Sequence, residues 1–290
     1  AALAAAPAAA QDTPTGFASL EMGPGARAQA MGSAFTSLAD DATASFWNPA
    51  GLSRLDKLQI SATHHQSFEG IRQEYVSAVK RFKEGTFGLS FGAVYNSDPL
   101  LGTDVSGDSV GTFGYYDLVT TAAFGFRATD KLDLGVGLEY LATKMDAYNS
   151  TGFALNLGAR YFPGIPNLSV GAAVRHLGQG MTLDTKRTAL PTTVQGGVSY
   201  ILPAGGGELT LAADLARTRG DDRTHALFGA EFTQRGFLSV QGGYRTGYDS
   251  EGFSFGLGVR GRGFQLQYAM VPYRNDFGSS SRIAITYLGR

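Results

Sequence analysis

Phe253-Ser254-Phe255-Gly256-Leu257-Gly258-Val259-Arg260, then a turn at Gly261-Arg262-Gly263, then Phe264-Gln265-Leu266-Gln267-Tyr268-Ala269-Met270: this stretch decides the reading of the chain. In the first run the odd positions are apolar and the even ones are Ser, Gly, Gly and Arg. In the second run the even positions are apolar and the odd ones polar or small. Successive side chains of a strand point to opposite faces, so period 2 is the mark of a strand with one oily and one small or polar face.

Working outward, the same alternation recurs. Leu132, Leu134, Val136, Leu138 and Tyr140 oppose Asp133, Gly135, Gly137 and Glu139. It returns at 153–161, 168–174, 209–215, 226–232 and 238–244, and in Ile283, Ile285 and Tyr287 near the end. The first two segments, near 57–66 and 71–82, alternate less cleanly. Fourteen segments are expected, starting near 57, 71, 85, 113, 131, 149, 167, 190, 207, 223, 236, 251, 263 and 280. Their connections alternate in character. Lys83-Glu84-Gly85, Ala128-Thr129-Asp130, Pro163 to Pro166, Pro203 to Gly206, Gln234-Arg235 and Gly261-Arg262 are tight. Asn96 to Gly111 and Gly178 to Arg187 are long and polar.

Composition excludes several classes. The chain has 290 residues, 40 glycines, 19 phenylalanines and 13 tyrosines, with charged residues only 17 %. No run of 18 apolar residues exists, which excludes a membrane-spanning helix but not a barrel, whose lipid-facing and lumen-facing residues average out. A formal net charge of −1 offers nothing to nucleic acid. Cysteine is absent, so there are no disulfides or thiolate metal sites. Sandwich strands usually run five or six residues, whereas these run about ten, the length needed to cross hydrocarbon at a tilt. A propeller would repeat every 40 to 50 residues, and no such repeat is present.

The expected fold is therefore all-β, a transmembrane antiparallel β-barrel of about 14 strands. Aromatics near strand ends (Phe82, Phe87, Phe126, Tyr161, Tyr200, Phe232, Phe264, Tyr287) fit interfacial girdles. Asp117, Arg127, Asp133, Glu139, Arg160, Arg175, Asp214, Glu231, Arg245, Arg260 and Arg282 fall on the non-lipid parity. Such charges need water, each other or a plug as partners.

Residues 1–10, AALAAAPAAA, read as a signal-peptide remnant or a disordered tail. Residues 11–56 are rich in small residues and do not read as strands, apart from a short helix expected near Ser37 to Phe46. They are expected to fill the lumen of the barrel formed by 57–290, as a hatch.

Between Gly23 and Leu52 the pattern G-x-G-A-R-A-x-A-M-G-x-A-F-T-x-L-A-D-D-A-x-A-x-x-W-N-P-A-G-L resembles the N-terminal signature of the PorV/PorQ branch of the FadL-type transport proteins. Its specific elements here are Gly25, Arg27, Gly32, Asp40, Asp41, Asn48, Pro49 and Ala50. The resemblance implies a fourteen-stranded barrel with a mobile N-terminal hatch, in the outer membrane of a Gram-negative-type bacterium. In the PorV branch it implies a partner of secretion machinery. The outer loops depart from the fatty-acid transporters in lacking long helical insertions.

The hatch and gating residues are expected to be Gly23, Gly25, Arg27, Gly32, Asp40, Asp41, Asn48 and Pro49. Asp40 and Asp41 either pair with inward arginines as a latch or cap a short helix. Asn48-Pro49 is expected to fix the turn from hatch into the first strand. His64 and His65 would point to opposite faces and so do not share a metal. His225 has lumen parity, and no G-x-S-x-G elbow exists for a hydrolase. No cofactor, metal or catalytic residue is expected. Two functions stand side by side: a hatch-gated conduit for small, largely hydrophobic solutes, and a barrel binding protein partners of a secretion or surface assembly. Expected partners are outer-membrane lipid, hydrophobic small molecules, detergent or lipid in the lumen, and other envelope or secreted proteins, with both termini periplasmic.

Overall fold

Alternation of this kind forces a sheet to bury one face and expose the other, and over fourteen strands the sheet closes on itself. The computed structural model describes residues 15–67, 70–96, 100–103, 109–183, 186–274 and 278–289. The chain begins its sheet with β1 (Gln59–Gln66), β2 (Ile71–Arg81) and β3 (Thr86–Asn96). A small hairpin, β4 (Leu100–Thr103) and β5 (Ser109–Phe113), precedes β6 (Tyr115–Thr129), β7 (Leu132–Met145), β8 (Tyr148–Tyr161) and β9 (Leu168–Gly178). A second hairpin, β10 (Met181–Leu183) and β11 (Lys186–Thr188), leads to β12 (Thr193–Ala204), β13 (Gly207–Thr218) and β14 (His225–Gln234). The sheet ends with β15 (Leu238–Arg245), β16 (Phe253–Gly261), β17 (Phe264–Pro272) and β18 (Ser279–Leu288).

Without the two hairpins, fourteen strands form one closed antiparallel barrel in the order β1-β18-β17-β16-β15-β14-β13-β12-β9-β8-β7-β6-β3-β2. Chain neighbours pair throughout, and β1 closes on β18 through Gln59↔Leu288 to Gln66↔Ser281. Closure removes the sheet edges, whose unpaired backbone groups hydrocarbon does not tolerate. The two hairpins lie on the long-loop side, which breaks up the connections expected to be irregular.

The two faces separate as the alternation requires. Phe253 is 60 % and Leu257 55 % exposed, while Ser254 between them is fully buried. The same outward exposure holds for Leu138, Leu157, Leu215, Leu266 and Ile285 around the cylinder. Leaving so broad an apolar belt in water costs about 25 cal/mol per Å², so the belt belongs in hydrocarbon. No helix among the described residues is long and apolar enough to cross a membrane. Phe82, Phe87, Tyr161, Tyr200, Phe264 and Tyr287 are also exposed near strand ends, where interfacial aromatics sit.

Residues before β1 form short pieces: 3-10 turns at Ala18–Glu21 and Pro49–Arg54, α1 (Ala26–Ala30) and α2 (Ala44–Trp47). The helix expected near Ser37 to Phe46 is confined to Ala44–Trp47, because the chain turns sharply before it and Ala39 has a positive φ. Met31, Phe35, Trp47 and Leu52 pack with inward Val79, Ala123, Ala212 and Leu227 in one cluster. The tail expected at 1–10 lies outside the described residues.

Candidate functional site

Small inward residues of the wall are seats for this N-terminal segment. A Cβ on Gly135 would lie 2.5 Å from the Pro49 carbonyl oxygen, and one on Gly229 2.6 Å from that of Met31. Gly158, Gly171, Gly243 and Gly256 likewise face Asn48, Ser37, Gly32 and Ala30 with no room for a methyl group. From the segment side, Gly32 has φ +63°, and its Cβ would lie 2.6 Å from the Phe228 carbonyl oxygen. Backbone thus meets backbone, as glycine alone permits.

Buried polar groups of the segment then bond to the wall, since unpaired they would be costly. Asn48 is fully buried. Its Nδ2 donates to the carbonyls of Thr36 (2.8 Å), Ala159 (3.2 Å) and Ala172 (3.4 Å), and its Oδ1 accepts from Ala50 N at 3.1 Å. Pro49 opens the following 3-10 turn, where its missing N–H is harmless. Asp214 accepts from Thr36 N at 2.9 Å and from Gln195 Nε2 at 2.8 Å, and Gln195 also donates to the Ser33 carbonyl at 3.0 Å. Ser254 Oγ donates to the Ala30 carbonyl at 2.9 Å. Gln29 donates to the Gly23 carbonyl at 2.9 Å, and Gly23 packs on Trp47. Gly25, with φ +86°, precedes α1 and packs on Thr43.

On the tight-turn side two arginines of the segment are paired with acids of the wall. Arg27 Nη2 lies 2.6 Å from Glu231 Oε2, its Nε bonds both Glu231 oxygens at 3.0 and 2.9 Å, and its Nη1 reaches Asp40. Arg54 bonds Asp133 at 2.5 and 3.1 Å and stacks 3.8 Å over Phe162. A latch between Asp40 or Asp41 and inward wall arginines does not form. Asp40 pairs with Arg27 of its own segment, and Asp41 accepts from Thr43 N at 2.8 Å and Thr43 Oγ1 at 2.5 Å, just before α2. The wall partner is an acid, Glu231, because Arg27 projects toward β14. Burial disfavours the charge of Arg27, but Asp40 and Glu231 more than offset it and lift its pKa well above the ordinary arginine value. For Asp40, burial acts upward, yet the Arg27 charge holds the carboxyl below the usual value. Asp41 is pushed up by burial and by the Asp40 charge. Arg260 is exposed at this mouth, bonds Gln265 at 3.2 Å, and lines a cavity of about 210 Å³ with Arg27, Asp40 and Glu231.

The loop side differs. Buried Glu139 meets His176 Nδ1 at 2.8 Å and accepts from Asn156 at 2.8 Å, and Asn156 Oδ1 accepts from His176 N. A bulge between Leu155 and Leu157, facing β9, accompanies the positive φ of His176. Arg175 bonds Gln195 at 2.7 Å and sits 5.0 Å over both Phe46 and Trp47. Arg245 bonds Glu251 and Gln29. Arg282 is buried and makes no hydrogen bond or ion pair among the described residues. Arg160, by contrast, lies on the tight-turn side opposite Asp133, buried and 5.4 Å from the Phe162 ring, with its Nε and Nη1 unpartnered among the described residues. With Leu20, Trp47 and Tyr248, the three arginines Arg175, Arg245 and Arg282 line a cavity of about 250 Å³. A separate groove of about 640 Å³, lined by Tyr200, Leu211, Phe228, Phe253 and Phe255, faces outward into the apolar belt, away from these charges.

His64 and His65 do point to opposite faces, His64 outward beside Glu74 at 2.7 Å. His225 is buried against Asp221 at 2.6 Å and stacks on Tyr248 at 3.9 Å. Sequence reasoning missed Arg54, Gln195, Asn156 and Trp47 as members of the site. Arg54 had a signal, as a cation directly after a small-residue run.

A family model described as an uncharacterised protein family (UPF0164) matches residues 1–139. No curated protein matches the chain. Among solved structures, the Pseudomonas putida toluene transporter TodX is 13 % identical and aligns over 92 % of this chain and 98 % of its own, with a TM-score of 0.67. The CymD monoaromatic hydrocarbon channel is 14 % identical over 95 % and 98 %, with a TM-score of 0.65. A Pseudomonas aeruginosa FadL homologue is 11 % identical over 90 % and 96 %, with a TM-score of 0.54. At such identities the likeness concerns the fold: the chain has the barrel architecture of FadL-type channels.

Proposed function

We propose that the protein is an outer-membrane conduit for small, largely hydrophobic solutes, gated by residues 11–56 acting as a hatch, with both termini periplasmic. The observation that carries this reading is the division of the lumen. A cavity of about 250 Å³ on the loop side and one of about 210 Å³ on the tight-turn side both border the N-terminal segment, so displacing that segment would join them. The hydrocarbon channels with the same architecture support the solute class. Arg27, Asp40 and Glu231 serve as the latch, and Asn48 and Pro49 as the anchor about which the rest of the segment moves.

The test compares uptake of a labelled monoaromatic hydrocarbon by cells with intact outer membranes, with and without the barrel, alongside ion conductance in planar bilayers. The intact barrel is expected to raise uptake several-fold while staying closed to ions, and deletion of residues 16–46 to open an ion-conducting pore. Uptake no higher than in cells lacking the barrel would overturn the conduit.

A second reading is favoured by the backbone-to-backbone seating of the segment, which suits a permanently closed barrel. In that reading the barrel binds protein partners of a secretion or surface assembly. Recovery of the barrel alone from mild detergent extracts would count against it.

A further inference from the structure

Arg282 is 6 % exposed, its Nε has no partner, and no acid among the described residues pairs with it. Burying an arginine without a counter-charge is costly, and such a group is retained where something else supplies the charge. Its surroundings repeat the pattern. Arg175 and Arg245 line the same cavity, each with an Nε unpartnered among the described residues, as does His65, whose two ring nitrogens are likewise unpartnered there. The carboxylates facing this cavity are Glu21 and Glu251, and Arg245 already engages Glu251. Among the described residues that line the cavity, three guanidinium groups thus stand against two carboxylates. The remaining wall is mixed: Leu20, Trp47, Leu227 and Tyr248 form an apolar and aromatic part, beside the polar Gln29, Ser33, Thr193, Gln195 and Thr218.

We infer that the loop-side cavity is a binding site for a small monocarboxylate carrying an apolar body. Guanidinium groups suit a carboxylate because their fork of N–H donors matches its two oxygens. One excess charge selects a monoanion over a dianion, and the part of the wall formed by Leu20, Trp47, Leu227 and Tyr248 holds the body that a free inorganic anion lacks. The site is smaller than the 300–1,000 Å³ common for drug-sized ligands, which limits the body to about one ring. Binding here needs no movement of the segment, so the site stands or falls apart from the conduit.

Trp47 lines the cavity and is the chain's single tryptophan, so its emission reports occupancy directly. The experiment titrates benzoate, benzyl alcohol and inorganic phosphate into the full-length barrel in detergent, exciting Trp47 alone. Benzoate is expected to give a saturable change, benzyl alcohol and phosphate none in the same concentration range. Arg282→Gln is expected to weaken benzoate at least tenfold, and Arg282→Lys to recover part of the loss. Heat-dependent gel migration checks that each variant is folded, and the comparison of the three probes on the unaltered protein stands even if Arg282→Gln does not fold. Equal response to benzoate and benzyl alcohol would overturn the anion site. Displacement of benzoate by equimolar phosphate would overturn the apolar-body requirement, and unchanged affinity in folded Arg282→Gln would overturn the role of Arg282.

Discussion

On the tight-turn side of the N-terminal segment, Arg27 meets Glu231 and Asp40, Arg54 meets Asp133, and Arg160, though it makes no ion pair among the described residues, lies opposite Asp133 in the β7–β8 ladder. On the loop side, Arg282 faces the lumen with no partner among the described residues, and Arg175 relies on a neutral glutamine and two aromatic rings. Both ends are built from inward positions of the same alternating strands. The difference teaches that parity places a charge in the lumen but does not say whether it serves the fold or waits for a ligand. Pairing decides that.

The contrast depends on a seated segment, so the largest expected effect comes from unseating it. Gly243→Val would drive a side chain into the backbone of Met31 and Gly32, an overpacking that cannot relax and costs more than about 4 kcal/mol. The expected result is loss of the heat-modifiable folded band or a segment open to protease. Gly242→Val, one residue along and facing outward with nothing within 4 Å of its Cβ, is the control and should fold normally.

Next come the paired charges. Arg54→Met strands the fully buried Asp133 carboxylate, and removing one partner of a buried pair costs about 3–5 kcal/mol. Thermal unfolding in detergent should register that loss. Arg282→Met, by contrast, removes a buried charge that has no partner and should leave stability unchanged or raise it. If both variants lost the same stability, the distinction between the two ends would collapse. Trp47→Phe removes the indole bond to the Pro24 carbonyl (3.0 Å), a loss of about 1 kcal/mol by the same measurement.

The smallest effect concerns acid. Arg27 holds the Asp40 carboxyl below its usual 3.8. A depressed acid contributes stability above its unfolded pKa and loses it as pH falls through the folded one. Asp40 is 46 % exposed, so solvent screens the pair and the contribution is modest. The unaltered protein should therefore melt slightly above Asp40→Asn at pH 7, and the two melting curves should converge below about pH 3. A gap that persists in acid would remove charge from the explanation.

The barrel was legible because its signal is local. Strand starts expected near 207 and 280 fall at Gly207 and Ser279. The start expected near 190 falls later, at Thr193, because Pro191 has no N–H to give the ladder. The hairpins at 100–113 and 181–188 were hidden, since three to five residues carry too little pattern. In the site, the bonds of Asp41 to Thr43 stay within two residues, a range that local pattern can reach. The partners of Arg27 and Asn48 were not legible, because Glu231 and Ala159 lie 204 and 111 residues away, and no pattern in one sequence links such positions.

That separation also sets an order of events. The segment is the first part of the described chain to leave the ribosome, yet Ala30 waits for Ser254, 224 residues later, for its bond. Contacts so distant in sequence form late and slowly. The earliest-made part of the protein is therefore among the last to take shape, and until the cylinder has gathered its final strands this stretch travels as an unshaped client.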